Sequence, residues 1–394
     1  VGILDTGIWP EHASVADPDP AGKPYEPPPV TPGANGFGAG GERSTCDFGN
    51  REANPADEPF TCNNKLIGAY NFMDTYKAFI GLLPEEFDSA RDDNGHGTHT
   101  ATTAAGNAGV AATLFGVDRG IVSGVAPRAH IIAFRVCGDL GCFQSDSVAA
   151  IEQAMLDGVN AVNFSIGGGG SPYSDPVELA FLAAYEAGVF VAASAGNSGP
   201  GPNTVEHNGP WVTTVAASTS NRHFLAQLTL VADNGDTLEL TGATVTTGIE
   251  APMPVVFAPE PLCIDLPEEA DFTGQIVICD RGVIARVAKS FNVAQRNAAG
   301  LILRNRLPQG LNTDNHFIPS IHLDSAEGDQ LGAFMETHTG VMATFTGGVA
   351  TPVPGDAIAS FSSRGGPGQL LGVGKPDVTA PGVQILAGHT PQPA

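Results

Sequence analysis

The stretch Val1-Gly2-Ile3-Leu4-Asp5-Thr6-Gly7 opens the chain and decides its fold class. An uninterrupted apolar run predicts a strand that is buried on both faces, and Asp-Thr-Gly after it predicts a turn. Runs of the same kind recur along the chain between segments with helical spacing. We therefore predict an α/β fold with a parallel sheet and helices on both of its faces.

The alternation is clearest between residues 96 and 217. Apolar runs predict strands at 130–136, 159–166, 189–193 and 211–217, and small or periodic apolar residues predict helices at 96–105 and 146–156. Asp175-Pro176 is typical of a helix cap followed by a first-turn proline, and Gly188 predicts the end of that helix. Polar groups that follow such strands gather at the carboxyl edge of a parallel sheet.

A second region with a different character begins near His223. Residues 225–231 and 237–245 alternate apolar and polar side chains around Asp233-Asn234-Gly235, which predicts a hairpin. Further strand and helix signals follow, and helix and strand signals resume at 357–361. We predict three segments: residues 1–222 and 357–394 form one domain, and 223–356 contain a small β-rich insert with its core at about 246–350.

Length, charge and cysteine content limit the classes of function. The 394 residues are too many for one ordinary core, and a net charge of −24 disfavours nucleic acid and anionic membranes as partners. The six cysteines fall into local couples, without a metal-binding Cys-x-x-Cys, so we expect three disulfides in a secreted protein. The couples are Cys46 with Cys62, Cys137 with Cys142 and Cys263 with Cys279. Because the chain starts inside a strand, we expect its original N-terminus to have been removed.

An acid and a histidine supply two thirds of a Ser-His-Asp catalytic set. Asp5 ends the first strand, and His96 opens a helix in Asn94-Gly95-His96-Gly97-Thr98-His99-Thr100-Ala101. Asp5 would orient the imidazole and His96 would act as the general base. Asp-Thr-Gly also occurs in aspartic peptidases, but these need a second such carboxylate, and the sequence has none. We interpret His99 as a structural histidine, since a two-histidine metal site lacks a nearby glutamate.

The chain resembles the subtilisin-like serine peptidases in a series of ordered motifs. They lie at residues 1–10, 92–101, 163–168, 194–200, 361–367 and 375–382. Residues 274–282 and 298–305 of the insert resemble the protease-associated domain of secreted and plant-type members. The resemblance covers nearly the whole chain and implies a subtilisin-like fold. Calcium is common in the family, but no metal site is identifiable here, and no organic cofactor is implied.

The resemblance also implies the roles of further site residues. Asn197 would donate a hydrogen bond to the oxyanion, as its counterpart does in the family. Two segments would pair with the substrate backbone, and the loop before Asn197 would border the same groove. These substrate-binding residues are Ser165, Ile166, Gly167, Gly168, Gly138, Asp139, Leu140, Gly141, Ala195 and Gly196.

The family's nucleophilic serine lies in Gly-Thr-Ser-Met-Ala, and the 394 residues contain no Gly-Thr-Ser. The serines of Phe361-Ser362-Ser363-Arg364-Gly365 belong to a segment that is structural in the family. We expect a secreted serine endopeptidase that acts through an acyl-enzyme, with its serine outside this chain. Its expected partners are polypeptide substrates, a C-terminal fragment that carries the serine, and its own propeptide as inhibitor and folding aid. The alternatives are an inactive fragment or pseudo-enzyme that binds peptides, and an insert that docks partners.

Overall fold

The computed structural model describes residues 1–28, 45–114, 117–369 and 372–391, which contain two large β-sheets. The strands are β1 (Gly2–Asp5), β2 (Leu66–Asn71), β3 (Val110–Leu114), β4 (Val117–Val122), β5 (Ile131–Arg135), β6 (Cys137–Gly138), β7 (Gly141–Cys142), β8 (Ala161–Phe164), β9 (Phe190–Ser194), β10 (Thr213–Ser218), β11 (Arg222–Val231), β12 (Thr237–Ala243), β13 (Ile249–Phe257), β14 (Ile276–Asp280), β15 (Gly300–Arg304), β16 (Ser320–Leu323), β17 (Met342–Phe345), β18 (Val349–Pro352) and β19 (Val378–Pro381). The α-helices are α1 (Asp74–Phe79), α2 (His96–Ala105), α3 (Gln144–Leu156), α4 (Pro176–Glu186), α5 (Arg286–Ala294) and α6 (Ser325–Thr337).

The first sheet is parallel and has the strand order β19-β10-β9-β8-β1-β5-β2. Successive residues of its interior strand β1 face opposite sides of the sheet. Ile3 belongs to the same apolar cluster as Ala101 of α2. Leu4 belongs to the cluster of Ile151 of α3 and Phe181 of α4 on the opposite face. The predicted α/β fold, with a parallel sheet and helices on both faces, is confirmed.

The ends of α4 show why the local sequence predicts this helix well. The Asp175 carboxylate accepts hydrogen bonds from the backbone N–H groups of Val177 and Glu178, and Pro176 occupies the first turn. Gly188, just beyond the helix, has a φ of 83°, a conformation that glycine adopts without strain. Both ends of the helix therefore follow from residues within the helix or next to it.

The second sheet is formed by β11 to β18, in the order β12-β16-β15-β14-β13-β17-β11-β18. It closes on itself because β12 also pairs with β11, in the antiparallel hairpin that the Asp233-Asn234-Gly235 turn predicts. Its interior is apolar, and the buried side chains there include Leu228, Ile278 and Ile302. The strands lie between residues 222 and 352, inside the predicted insert region of 223–356 apart from the first residue of β11. The division into domains stays a prediction.

Three disulfides join neighbouring parts of the chain. They connect Cys46 with Cys62, Cys137 with Cys142 and Cys263 with Cys279, the three local couples expected from the sequence. Of the helices in the described ranges, none combines the length and apolar character required to cross a bilayer.

The expectation of regular structure at residues 357–361 is wrong. This segment forms a bridge and turns instead of a helix or strand, although it does pack against the first sheet. The backbone N–H of Ala359 donates to the carbonyl of Ala217 at 2.9 Å, and Ile358 pairs with Ser218 as an isolated bridge. The apolar residues of the segment are thus explained by packing onto β10.

Candidate active site

Asp5 is a buried carboxylate at the carboxyl end of the interior strand β1. Its side chain is 1% exposed. The backbone N–H of Thr6 donates to its Oδ1 at 2.8 Å, and the Thr100 hydroxyl donates to its Oδ2 at 3.2 Å. Hydrogen bonds to both oxygens of a buried carboxylate fix its orientation. Asp5 is therefore a fixed acceptor that faces α2.

His96 is the first residue of α2 and lies directly beside Asp5. Its Nδ1 is 2.6 Å from Oδ1 of Asp5, and 52% of the His96 side chain is exposed. The hydrogen bond to Asp5 raises the pKa of His96 above its usual value of 6.5, against an opposing effect of burial. A neutral His96 that donates from Nδ1 keeps Nε2 as an acceptor. This nitrogen is the one that a triad histidine uses to accept a proton.

Two features hold the start of α2 against the turn that follows β1. Gly97 lies so close to this turn that a Cβ atom there would be 2.2 Å from the carbonyl oxygen of Gly7. The buried Asp92 carboxylate accepts hydrogen bonds from the hydroxyls of Thr6 and Thr98, at 2.9 and 2.6 Å. It also accepts from the backbone N–H of Gly95, at 2.9 Å. Asp92 thus connects the two segments that carry Asp5 and His96.

The second histidine of the motif has a separate partner. His99 is half-buried, its Nε2 lies 3.0 Å from the carbonyl oxygen of Ile385, and burial lowers its pKa. Within the residues described, no group of three or more His, Cys, Asp or Glu side chains could hold a metal ion. These contacts agree with a structural role for His99.

Asn197 lies at the same edge of the sheet. It follows β9, which is separated from β1 only by β8, and it is exposed. Asn197 borders a cavity of about 290 Å³ at the carboxyl ends of β8, β9, β10 and β19, which is also lined by Ser165, Ala195 and Gly196. The structure therefore brings the predicted oxyanion donor to the edge where Asp5 and His96 meet.

The predicted substrate segment 165–168 continues from β8 and is held from behind by a buried pair. Nε2 of His207 lies 2.8 Å from the carbonyl oxygen of Ile166, and its Nδ1 lies 2.7 Å from Oε1 of Glu178. The backbone N–H of His207 also donates to the carbonyl of Gly168 at 2.8 Å. Glu178 and His207 are almost fully buried. This pair fixes the backbone of the segment without reaching its open side.

The other predicted substrate segment, 138–141, lies within the short β6–β7 hairpin, which the Cys137–Cys142 disulfide closes. Leu140 is 65% exposed at its tip, whereas Gly138 is buried against Tyr76 and Glu86. Nδ2 of Asn94 donates to Oδ1 of Asp139 at 3.1 Å. This bond connects the hairpin to the loop before His96, so the hairpin borders the same site.

The serines of residues 361–365 have structural partners. The Ser362 hydroxyl accepts from the backbone N–H of Ala217 at 3.0 Å, and the Ser363 hydroxyl accepts from that of Ser198 at 2.9 Å. Both serines are buried. These contacts agree with the structural role that the resemblance implies.

Several contacts of the site have no signal in the sequence. Asp92 and Thr100 lie inside the motif at residues 92–101, but only the structure shows that they contact Thr6 and Asp5. Glu178 and His207 are distant in sequence from the segment that they support. A buried acid inside a helix and a histidine beyond the next strand do not predict each other without the fold.

A parallel sheet with an Asp–His pair at its carboxyl edge is typical of triad hydrolases. The subtilase family, Peptidase S8, matches residues 1–393. The chain is 39% identical over 414 aligned positions to subtilisin-like protease SBT1.6 of Arabidopsis thaliana, covering 99% of this chain and 51% of the relative. It is 38% identical to SBT1.3 of the same plant, covering 99% and 50%. The chain belongs to the subtilase family of subtilisin-like serine peptidases.

The chain spans about half the length of these curated relatives. Among solved structures, it is similar to the subtilisin-like protease Apa1 from the Antarctic psychrotroph Pseudoalteromonas sp. AS-11. The two share 17% identity with a TM-score of 0.37, over 92% of this chain and 77% of the other.

Proposed function

We propose that this chain forms the Asp–His part of a secreted serine endopeptidase, whose nucleophilic serine lies outside the 394 residues. The observation that carries the proposal is the 2.6 Å contact between Nδ1 of His96 and Oδ1 of Asp5 at the carboxyl edge of the sheet. Membership of the subtilase family and three disulfides support it. The C-terminal segment with the serine and the protein's own propeptide are its proposed partners.

In the proposed mechanism, Asp5 holds His96 in the tautomer that donates from Nδ1. Nε2 of His96 takes the proton of the serine hydroxyl as the oxygen attacks the peptide carbonyl. Asn197 donates to the negative oxygen that forms, and His96 then gives its proton to the leaving amine. Water attacks the acyl-enzyme by the same route, with His96 again as the base. Residues 165–168 and 138–141 hold the peptide as an added strand.

The direct test is labelling of the full-length protein with a fluorophosphonate probe, which reacts with an activated serine. Wild type should be labelled, and peptide hydrolysis should fall by about 10⁶ in His96→Ala, the loss that removal of the histidine causes in subtilisin. Intact mass of the sample shows whether a serine-bearing segment is present. A folded single species of 40.3 kDa that binds peptides without being labelled would instead support a non-catalytic binding protein.

A further inference from the structure

Two glycines leave a narrow slot at the carboxyl edge of the first sheet. Gly167 follows β8 and Gly196 follows β9, and these strands are direct neighbours. A Cβ atom at Gly167 would lie 2.7 Å from Oε2 of Glu206, and one at Gly196 would lie 2.7 Å from Cδ of Glu206. The carboxylate of Glu206 therefore lies between the two backbone segments. We call this space the glycine slot.

The backbone and side chain of Glu206 are both fixed to the walls of the glycine slot. Its backbone N–H donates to the carbonyl of Ala195 at 2.9 Å, and its Oε2 accepts from the backbone N–H of Gly168 at 3.2 Å. In the described ranges, no ion pair includes Glu206. Glu206 is half-buried, so its carboxylate is partly accessible. The carboxylate therefore retains acceptor positions that no cation of the described residues uses.

The position of the glycine slot relates it to the proposed chemistry. The order β9-β8-β1 places the slot, which lies between the ends of β8 and β9, one strand away from the end of β1 at Asp5, and Asn197 directly follows Gly196. In the proposed complex, a peptide pairs with residues 165–168 and presents the carbonyl of its scissile bond to Asn197. The residue that carries this carbonyl is the one before the scissile bond. Its side chain is directed to the space between residues 165–168 and the loop of Gly196, which is the glycine slot.

We propose that Glu206 makes this site selective for arginine or lysine immediately before the scissile bond, an inference that rests on the proposed function. A long cationic side chain can reach the carboxylate from the open side of the slot and place its charge against it. A large apolar side chain competes with the carboxylate for the space and removes solvent from its remaining acceptor positions. An acidic side chain meets a like charge. The net charge of −24 also favours the approach of cationic peptides.

The test uses the full-length protein and fluorogenic peptides that differ only in the residue before the cut: Arg, Lys, Leu, Phe or Glu. Wild type should cleave the Arg peptide with a kcat/KM at least about 10-fold above that of the Leu peptide, as one charge-assisted contact allows. Glu206→Gln should remove most of this ratio. Glu206→Ala should open the slot and raise kcat/KM for the Phe peptide. Two results would overturn the proposal: a wild-type preference for Leu or Phe, or an Arg preference that survives in Glu206→Gln. Either result would mean that Glu206 has only a structural role.

Glu186→Gln is the matched control, because it removes one exposed carboxylate of the same domain at the end of α4. It should retain the Arg-to-Leu ratio. Binding of product peptides that end in Arg or Leu, measured by fluorescence anisotropy, tests the same preference without catalysis. Absence of both labelling and cleavage would refute the proposed function, whereas equal binding of the two product peptides would refute the role of Glu206. The two failures are therefore distinguishable.

Discussion

Asp5 and His96 are 91 positions apart in the chain, yet Oδ1 of Asp5 lies 2.6 Å from Nδ1 of His96. The fold makes this contact because β1 ends at Asp5 and α2 begins at His96 on one face of the same sheet. Asp92 then connects the two segments through the hydroxyls of Thr6 and Thr98. The pair is thus part of a hydrogen-bonded unit, and changes to either residue should have local effects that can be measured.

The first prediction concerns the titration of His96. Asp5→Asn should lower the pKa of His96, because the hydrogen bond to the Asp5 carboxylate is the main cause that raises it above 6.5. A raised pKa means that the contribution of His96 to stability is present at acidic pH and is lost as the pH rises through the folded-state pKa. Asp5→Asn should therefore lose more stability at about pH 5 than at about pH 9. NMR titration of the imidazole and urea unfolding at both pH values measure the two effects.

His338 provides an internal control for this titration. Its pKa is also raised, by a hydrogen bond to Asp236, which lies in the second-sheet region. Asp5→Asn should leave the titration of His338 unchanged. An unaltered pKa of His96 in Asp5→Asn would contradict the assignment of Asp5 as its partner.

The second prediction concerns the close contact at the start of α2. Gly97→Ala places a methyl group 2.2 Å from the carbonyl oxygen of Gly7, and neither backbone segment can yield without displacing Asp5 or His96. We expect a loss of about 1–3 kcal/mol or more in the free energy of unfolding, as for other overpacked sites. Urea unfolding measures this loss, and NMR of His96 reports the displaced ring.

Gly201→Ala is the matched control, because a Cβ atom there has no atom within 4 Å. Its free energy of unfolding should stay within about 0.5 kcal/mol of wild type. Equal stability of Gly97→Ala and Gly201→Ala would mean that α2 does not need its close approach to the turn after β1.

The sequence predicts those parts of the fold that depend on neighbouring residues. The apolar opening run predicts β1, Asp175-Pro176 predicts the start of α4, and Asp233-Asn234-Gly235 predicts the hairpin of the second sheet. In each of these cases a local pattern is sufficient. The meeting of Asp5 with His96 is expected instead from the two motifs of a catalytic set, because His96 opens a helix and does not follow a strand.

Tertiary contacts decide what the sequence does not predict. Residues 357–361 have an apolar pattern, but they pack onto the end of β10 as a bridge and turn, where residues 215–218 already pair with β19. The position of Glu206 depends on two glycines, at 167 and 196, that come together only through adjacent strands. The pairing of His207 with Glu178 likewise depends on how α4 packs. None of these contacts has a local sequence signature.

The third prediction concerns the buried Arg91, next to Asp92. Its Nε donates to Oδ1 of Asp57 at 2.9 Å, and its two terminal nitrogens reach both carboxylate oxygens of Glu11. Asp57 is fully buried. Arg91→Met leaves the buried Asp57 carboxylate without its cationic partner, so we expect a loss of about 3–5 kcal/mol in the free energy of unfolding.

The exposed pair of Arg51 and Glu58 is the control for this change, since both side chains are more than half exposed. Arg51→Met should cost about 0–1 kcal/mol. The double variant Arg91→Met/Asp57→Asn should recover part of the loss, because it removes the unpaired charge. Additive losses in the double variant would show that the two side chains do not stabilise each other.

The fourth prediction concerns Asn197 in the full-length protein. If its amide donates to the oxyanion, it acts only when negative charge develops, so Asn197→Ala should lower kcat by about 10²–10³, as in subtilisin, and leave KM nearly unchanged. Asn160→Ala is the matched control, because Asn160 is exposed and precedes β8 at the opposite, amino edge of the sheet. Steady-state kinetics with one good peptide substrate separate kcat from KM in both variants. A loss of less than about 10-fold in kcat, or an increase in KM that accounts for the whole loss, would assign Asn197 to substrate binding instead of transition-state stabilisation.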